Sequence, residues 1–160
     1  MRKHQKLHRP RNRRAAVAVE FAVVLPLLLG LVLGLVELTR AYDVQNLLQI
    51  GVREGARFAA MDRTGMLQEG ESTNAKLIAD VTGFLVSSGL PADALEISIS
   101  DAENPGQPFD LDDPTNDLKL FRVDISIPFS AVSYLPLHVG QNYPLEGAII
   151  FRNGRATLSE

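Results

Sequence analysis

The dominant feature of the hydrophobic pattern is an uninterrupted apolar segment, residues 15–36, in which Glu20 is the one charged side chain. A helix rises about 1.5 Å per residue, so this segment would extend roughly 33 Å and match the ~30 Å hydrocarbon core of a bilayer. It is longer than the apolar region of about 7 to 15 residues in a cleaved secretory signal. No small-x-small cleavage site follows it, because the chain continues with Glu37, Leu38, Thr39 and Arg40. The pattern predicts a membrane-spanning helix over residues 16–36.

Helical spacing continues through residues 37–61, where no proline interrupts the pattern. Apolar or small residues, with one Gln among them, recur every three or four positions, which predicts an amphipathic continuation of the same helix. The members of this stripe are Leu38, Ala41, Gln45, Leu48, Val52, Ala56 and Ala59.

Small residues form two further rows at i, i+4 spacing, Gly30 with Gly34 in the span and Gly51 with Gly55 and Ala59 beyond it. A G-x-x-x-G pair lets a second helix approach closely, although glycine is common in membrane spans. Each internal glycine costs a soluble helix about 1 kcal/mol relative to alanine, so a packing reason is expected. We predict helix–helix contacts at all five positions. For the second row, the partner is either the chain's own C-terminal domain or another subunit.

In the remainder of the chain, residues 62–160, the spacing of the apolar residues first fits a helix and then fits β-strands. A linker over residues 62–73 leads to a helix that Thr73 or Asn74 caps, with apolar positions at Leu77, Ile78, Val81, Phe84 and Leu85. Alternation then predicts two half-buried strands and a third over residues 145–152. The apolar positions of the first two strands are Leu95, Ile97 and Ile99, then Phe121, Val123, Ile125, Ile127 and Phe129. We expect a small α+β domain with an antiparallel sheet packed on helices.

Charge is distributed very unevenly along the chain. Residues 1–14 hold seven Lys or Arg and no acid, whereas residues 61–160 hold six basic and fifteen acidic side chains. A basic tail (residues 1–15) before a span and an acidic domain after it follow the positive-inside rule. The tail is therefore predicted to stay in the cytoplasm and the C-terminal domain to be exported. A nucleic-acid-binding arm is the alternative for the tail, but topology alone accounts for its charge, and no nucleic-acid partner is expected.

Glu20 near the start of the span has two interpretations. A carboxylate in the first turns of a helix is favoured by the helix dipole and can reach the headgroups. An acid retained in an apolar helix also suggests a specific cationic partner. If the chain were cut before Ala16, the new terminal amine would be such a partner, in the same subunit or in a neighbour.

A specific combination of residues over 11–61 resembles the TadE-like family, minor pseudopilins of the tight-adherence (Flp) pilus system. The combination consists of the basic pair Arg13-Arg14, the A-V-E-F run ending in Glu20 and Phe21, an apolar run with the early Pro26, then R-A-Y at 40–42 and R-E-G-A-R at 53–57.

The resemblance implies that a prepilin peptidase removes the basic leader by cutting between Ala15 and Ala16. Glu20 and Phe21 would then be the fifth and sixth residues of the mature chain. Ala15 stands where such leaders usually have glycine. The resemblance also implies an inner-membrane protein whose partners are the membrane, the peptidase and other pilus subunits or pseudopilins. The alternative is an unprocessed single-pass protein whose exported domain scaffolds or binds a partner.

Catalytic chemistry has little support in the sequence. The chain has no cysteine, and none of the common nucleophile, metalloprotease or phosphate-loop motifs is present. We expect no enzyme activity, cofactor, metal or small-molecule substrate, although a membrane-tethered enzyme is a third class of function. The acidic segment 101–117 raises calcium binding through Asp110, Asp112, Asp113 and Asp117. Its spacing does not match an EF-hand, so a solvated surface loop is expected instead.

Overall fold

A computed structural model describes residues 11–61, 66, 67, 70–135 and 143–154, with the backbone alone for residues 11–14. Its elements are the helices α1 (Arg11–Ala60) and α2 (Thr73–Ser87) and the strands β1 (Glu96–Asp101), β2 (Leu120–Pro128) and β3 (Pro144–Arg152). The predicted α+β class is confirmed. Most of the basic tail, much of the 62–73 linker and His138, which is the one histidine after the span, lie outside the described residues.

The chain divides into two compact units, Met1–Leu38 and Thr39–Glu160. The first contains the apolar part of α1, which continues through Pro26 without a break in the helix. The second contains the rest of α1 together with α2 and the sheet. Of the predicted amphipathic continuation, residues 37–61, the helical part from Thr39 onward therefore belongs structurally to the C-terminal domain.

The sheet is antiparallel, with strand order β1-β2-β3. Ile125 at the centre of β2 pairs with Ile97 on one side and Gly147 on the other. Alternate residues of β2 are buried, as period-two patterning predicts for a sheet with one covered face. The buried set is Phe121, Val123, Ile125 and Ile127.

Helix α1 buries its stripe against this face of the sheet and against α2. The buried positions of α1 are Ala41, Val44, Leu48, Gly51, Val52, Gly55, Ala56 and Ala59. Gln45 and Leu38, which the spacing had included, are exposed, and Val44 is fully buried in place of Gln45. A three-residue step from Ala41 followed by a four-residue step to Leu48 keeps every member of the stripe apolar.

The start of α2 differs from the prediction. Ser72 is the N-cap, and its Oγ accepts a hydrogen bond of 3.2 Å from the Ala75 amide. Thr73 and Asn74, the predicted caps, instead bind the acidic segment: the Thr73 amide and hydroxyl both donate to the Asp112 carboxylate. A cap must lie outside the first turn, and both residues already have helical geometry.

We expected the acidic segment 101–117 to be a solvated surface loop, and this is wrong for residues 109 and 111. Phe109 is 3% exposed and Leu111 is fully buried, and the Phe109 ring stacks on Phe121 of β2 at 5.8 Å between centroids. The Asn74 side chain donates to the Phe109 carbonyl at 2.7 Å and accepts from the Leu111 amide at 2.9 Å. The middle of the segment therefore contributes Phe109 and Leu111 to the core. Isolated apolar residues among aspartates and prolines give no periodic signal.

Candidate functional site: the apolar helix and the first turns of the domain

The apolar segment of α1 leaves its large side chains uncovered. From Val17 to Val36 all the large apolar residues are exposed, with Leu27 at 73% and Phe21 at 64%. None of the most apolar stretch is buried inside the protein, and α1 is long and apolar enough to cross a bilayer. Since burying each Leu or Val side chain is worth about 1.5 to 3 kcal/mol, this surface favours an apolar environment. The segment fits a single-pass membrane protein.

The residues of the proposed processing site lie at the start of this helix. Ala15, Ala16, Glu20 and Phe21 are all helical and exposed. Glu20 lies four residues after Ala16, so the two positions are on the same face one turn apart. The segment contains no other charged side chain between Ala15 and Val36.

The two glycine rows of α1 have different surroundings. A Cβ added at Gly30 or Gly34 would meet no atom within 4 Å, so this row is open. A Cβ at Gly51 would lie 3.3 Å from Leu85 Cδ2, and one at Gly55 would lie 2.9 Å from Val81 Cγ2. Gly51, Gly55 and Ala59 are buried within the domain. The partner helix of Gly51 and Gly55 is therefore α2 of the same chain, and their face is already filled.

A shallow groove of about 220 Å³ accompanies this contact, lined by residues of α1 and α2 including Phe58 and Phe84. Its two acidic residues are already paired: Glu54 lies 3.7 Å from Arg57 and Asp80 lies 3.2 Å from Lys76. The groove therefore offers no uncompensated charge to a ligand.

Residues that the sequence interpretation passed over meet near the start of the second unit. The Arg40 Nε donates to the Val132 carbonyl at 3.1 Å, and its guanidinium carbon lies 5.1 Å above the centre of the Tyr134 ring. Tyr134 is 65% exposed. Arg40 belongs to the R-A-Y motif, but nothing in the sequence indicated that residues 132–134 would fold against it.

Carboxylates of the acidic segment accept hydrogen bonds from backbone amides. Asp112 holds Thr73, and Asp110 Oδ1 accepts from the Asp112 amide at 2.9 Å. Asp113 accepts from the Thr115 amide at 2.8 Å, and this hydrogen bond lowers the pKa of Asp113 below its usual value. Among the described residues, no three acidic or histidine side chains are grouped as a metal site requires. The arrangement provides no support for calcium binding.

Comparison with known proteins identifies one segment. Residues 15–57 match the family model described as TadE-like protein, which covers the apolar segment, Glu20 and the helix as far as Arg57. No curated protein and no solved structure matches the chain. The resemblance drawn from the residues is therefore confirmed over residues 15–57, which are similar to TadE-like proteins.

Proposed function

We propose that this chain is a minor pseudopilin, a membrane-anchored component for assembly of a Flp-type pilus or a related secretion apparatus. One observation carries the proposal: the matched segment, residues 15–57, includes the exposed apolar part of α1, residues 15–36, in which Glu20 is the single charged side chain. The chain acts through helix contacts rather than through a catalytic step.

Topology follows from charge. Seven basic residues precede the span, and residues 61–160 carry fifteen acids against six bases. Lys and Arg are retained on the cytoplasmic side. On this basis the N-terminus is cytoplasmic and the domain is exported, and the similarity to TadE-like proteins favours the inner membrane.

Glu20 is the proposed recognition residue within the membrane. A charged carboxylate at the centre of a span costs about 2.5 to 3.5 kcal/mol on insertion scales, and less near the interface. After a cut between Ala15 and Ala16, the new ammonium group of Ala16 would offset this cost, either one turn away in the same helix or from a neighbouring subunit. Such a pair would favour entry of the mature helix into a bundle of pilin helices, with Gly30 and Gly34 as the close-approach face.

The alternative is an unprocessed anchor whose exported domain scaffolds the apparatus. Ala15 favours this alternative, because such leaders usually carry glycine before the cut. Alanine is also small but lacks the conformational freedom of glycine, so the peptidase would have to accept a stiffer backbone at the scissile bond.

Intact mass and N-terminal sequencing of the chain from membranes of a peptidase-competent cell separate the two. We expect a mature chain that begins at Ala16. Retention of Met1 to Ala15 would contradict processing and favour the plain anchor.

A matched pair of variants tests the role of the acid. Glu20→Gln is expected to lower recovery of other pilus subunits with the solubilised chain, whereas Glu37→Gln, in the same helix but outside the span, is expected to leave it unchanged. Equal recovery for both variants would remove Glu20 from the assembly contact.

A further inference from the structure

Two of the chain's three tyrosines, Tyr134 and Tyr143, are exposed at 65% and 48% and flank the segment after β2. Tyr143 contacts Phe129 through both backbone and ring. The Phe129 amide donates to the Tyr143 carbonyl, and the rings of Phe129 and Tyr143 stack at 5.2 Å between centroids.

Arg40 joins this group to helix α1. The Val132 amide donates to the Phe129 carbonyl, and the Val132 carbonyl accepts from Arg40. The guanidinium lies over the Tyr134 ring. Arg40, Tyr134 and Tyr143 therefore form one surface, which we call the tyrosine–arginine face.

Chain length limits how far this face can be from the membrane. Arg40 comes four residues after Val36, the last residue of the apolar segment. Four residues span at most about 14 Å even when fully extended. The interfacial layer occupies about 5 to 8 Å on each side of the hydrocarbon core. Residues 36–40 are helical, and four residues of a helix rise only about 6 Å, so Arg40 lies at the level of the headgroups when the apolar segment spans the core.

The chemistry of the face suits that layer. Tyrosine is enriched at both membrane interfaces because its ring is apolar and its hydroxyl polar, and an arginine with an apolar stem extends its charge to the headgroups. Tyrosine rings that are exposed to water gain no stabilisation from burial. Asp43 is an exposed acid three residues after Arg40, so net positive charge does not drive the contact.

We propose that the tyrosine–arginine face rests in the lipid headgroup layer on the exported side and fixes the orientation of the domain against the membrane. The Arg40 contacts with Val132 and Tyr134 hold the ring in position for this. The inference rests on the membrane-anchoring part of the proposed function and is independent of processing and pilus assembly.

The chain contains no tryptophan, so single substitutions provide clean fluorescent reporters. Tyr134→Trp places the reporter on the face. Phe151→Trp is the control, because Phe151 is also partly exposed, at 38%. It lies seven residues after Pro144 along β3, which at the rise of a strand is about 23 Å from Pro144 and from the adjacent Tyr143. A third variant, Leu28→Trp, reports insertion of the span. Each full-length variant is reconstituted in phosphatidylcholine nanodiscs with and without brominated lipid.

We expect the indole of Tyr134→Trp to emit at shorter wavelength than that of Phe151→Trp. Lipid brominated near the headgroups should quench the Tyr134→Trp reporter roughly twofold or more and leave the Phe151→Trp reporter unaffected. Replacing phosphatidylcholine by an anionic lipid should change this little.

Two outcomes would overturn the proposal. The first is equal quenching of the Tyr134→Trp and Phe151→Trp reporters. The second is a shift to shorter wavelength in Tyr134→Trp that lipid bromine does not quench, since that would indicate a protein contact.

Two further measurements separate the possible causes of failure. If the Leu28→Trp reporter is not quenched by bromine deep in the acyl chains, the span itself is wrong and the inference falls with it. If Leu28→Trp is quenched and Tyr134→Trp is not, the span stands and only the inference fails.

Arg40→Ala tests whether the guanidinium positions the ring. Added to Tyr134→Trp, it should reduce quenching of the reporter, whereas added to Leu28→Trp it should leave quenching unchanged. Should Tyr134→Trp fail to fold by circular dichroism, Tyr143→Trp serves as the reporter with the same expected quenching.

Discussion

Gly55 of α1 lies so close to Val81 of α2 that an added Cβ would approach the Val81 Cγ2 to 2.9 Å. Val81 is 3% exposed and β-branched, so it has little freedom to move aside. The absence of a side chain at position 55 is therefore what brings the two helices together inside the domain.

Three glycine-to-alanine variants of the full chain test this contact. Gly55→Ala should lower the free energy of unfolding by about 1 to 2 kcal/mol, because overpacking of about 1 to 3 kcal/mol outweighs a gain in helix propensity of about 1 kcal/mol. Gly51→Ala should be nearly neutral, since its Cβ would lie 3.3 Å from the flexible end of Leu85. Gly83→Ala on α2, with nothing within 4 Å, should stabilise.

Thermal unfolding in detergent ranks the three variants. If Gly55→Ala were as stable as the wild type, the close contact with Val81 would be contradicted. If the variant kept its stability but lost binding to other pilus subunits, Gly55 would instead contact another subunit.

The Asp112–Thr73 pair ties the acidic segment to the start of α2. Asp112→Ala should cost about 1 to 3 kcal/mol, because it leaves the buried Thr73 hydroxyl without its carboxylate acceptor. Asp112→Asn keeps one oxygen acceptor and should cost less. Asp93→Ala, an exposed acid in the short helix Ala92–Ala94, is the matched control and should change stability by less than about 0.5 kcal/mol. Denaturant unfolding measures all three, and a calcium effect on the wild type would contradict the structural role of these carboxylates.

Asp101 gives the domain a pH-dependent contribution. The Glu103 amide donates to its carboxylate at 2.7 Å and is the main reason that the pKa of Asp101 is below its usual value of 3.8. The folded state therefore favours the charged form, so the stabilisation is present above pH 3.8 and is lost as the pH falls through the lowered pKa. Asp101→Asn should be less stable than the wild type above pH 3.8, with a difference that shrinks at lower pH. A difference that is constant with pH would contradict the assignment.

Periodic segments could be predicted from the sequence, and single-residue contacts could not. The alternation from Phe121 to Ile127 identified β2 because one face of the sheet is covered along its whole length. Asn153 gave no such signal, yet it is 1% exposed and its side chain donates to the Leu111 and Asn116 carbonyls at 3.2 and 3.1 Å. Its importance comes from a loop 37 to 42 residues earlier in the chain, which no local pattern reveals.

In the candidate site, too, some residues could be identified from the sequence and others could not. Glu20 stands out because a charge in an apolar run is rare at any position. Arg40 looked like an ordinary polar residue of the helix surface, since its partners Val132 and Tyr134 lie more than ninety positions away. The glycine rows looked equivalent in sequence, and only the position of α2 distinguishes Gly55 from Gly34.

A requirement for this chain in pilus assembly, exerted through its membrane helix, can be tested by counting surface filaments. The cells compared lack the chain or are complemented with the wild type or with Glu20→Gln. We expect filaments to disappear on deletion, to return with the wild type and to stay strongly reduced with Glu20→Gln despite equal protein in the membrane. Unchanged filament numbers in the deletion strain would contradict the proposed role.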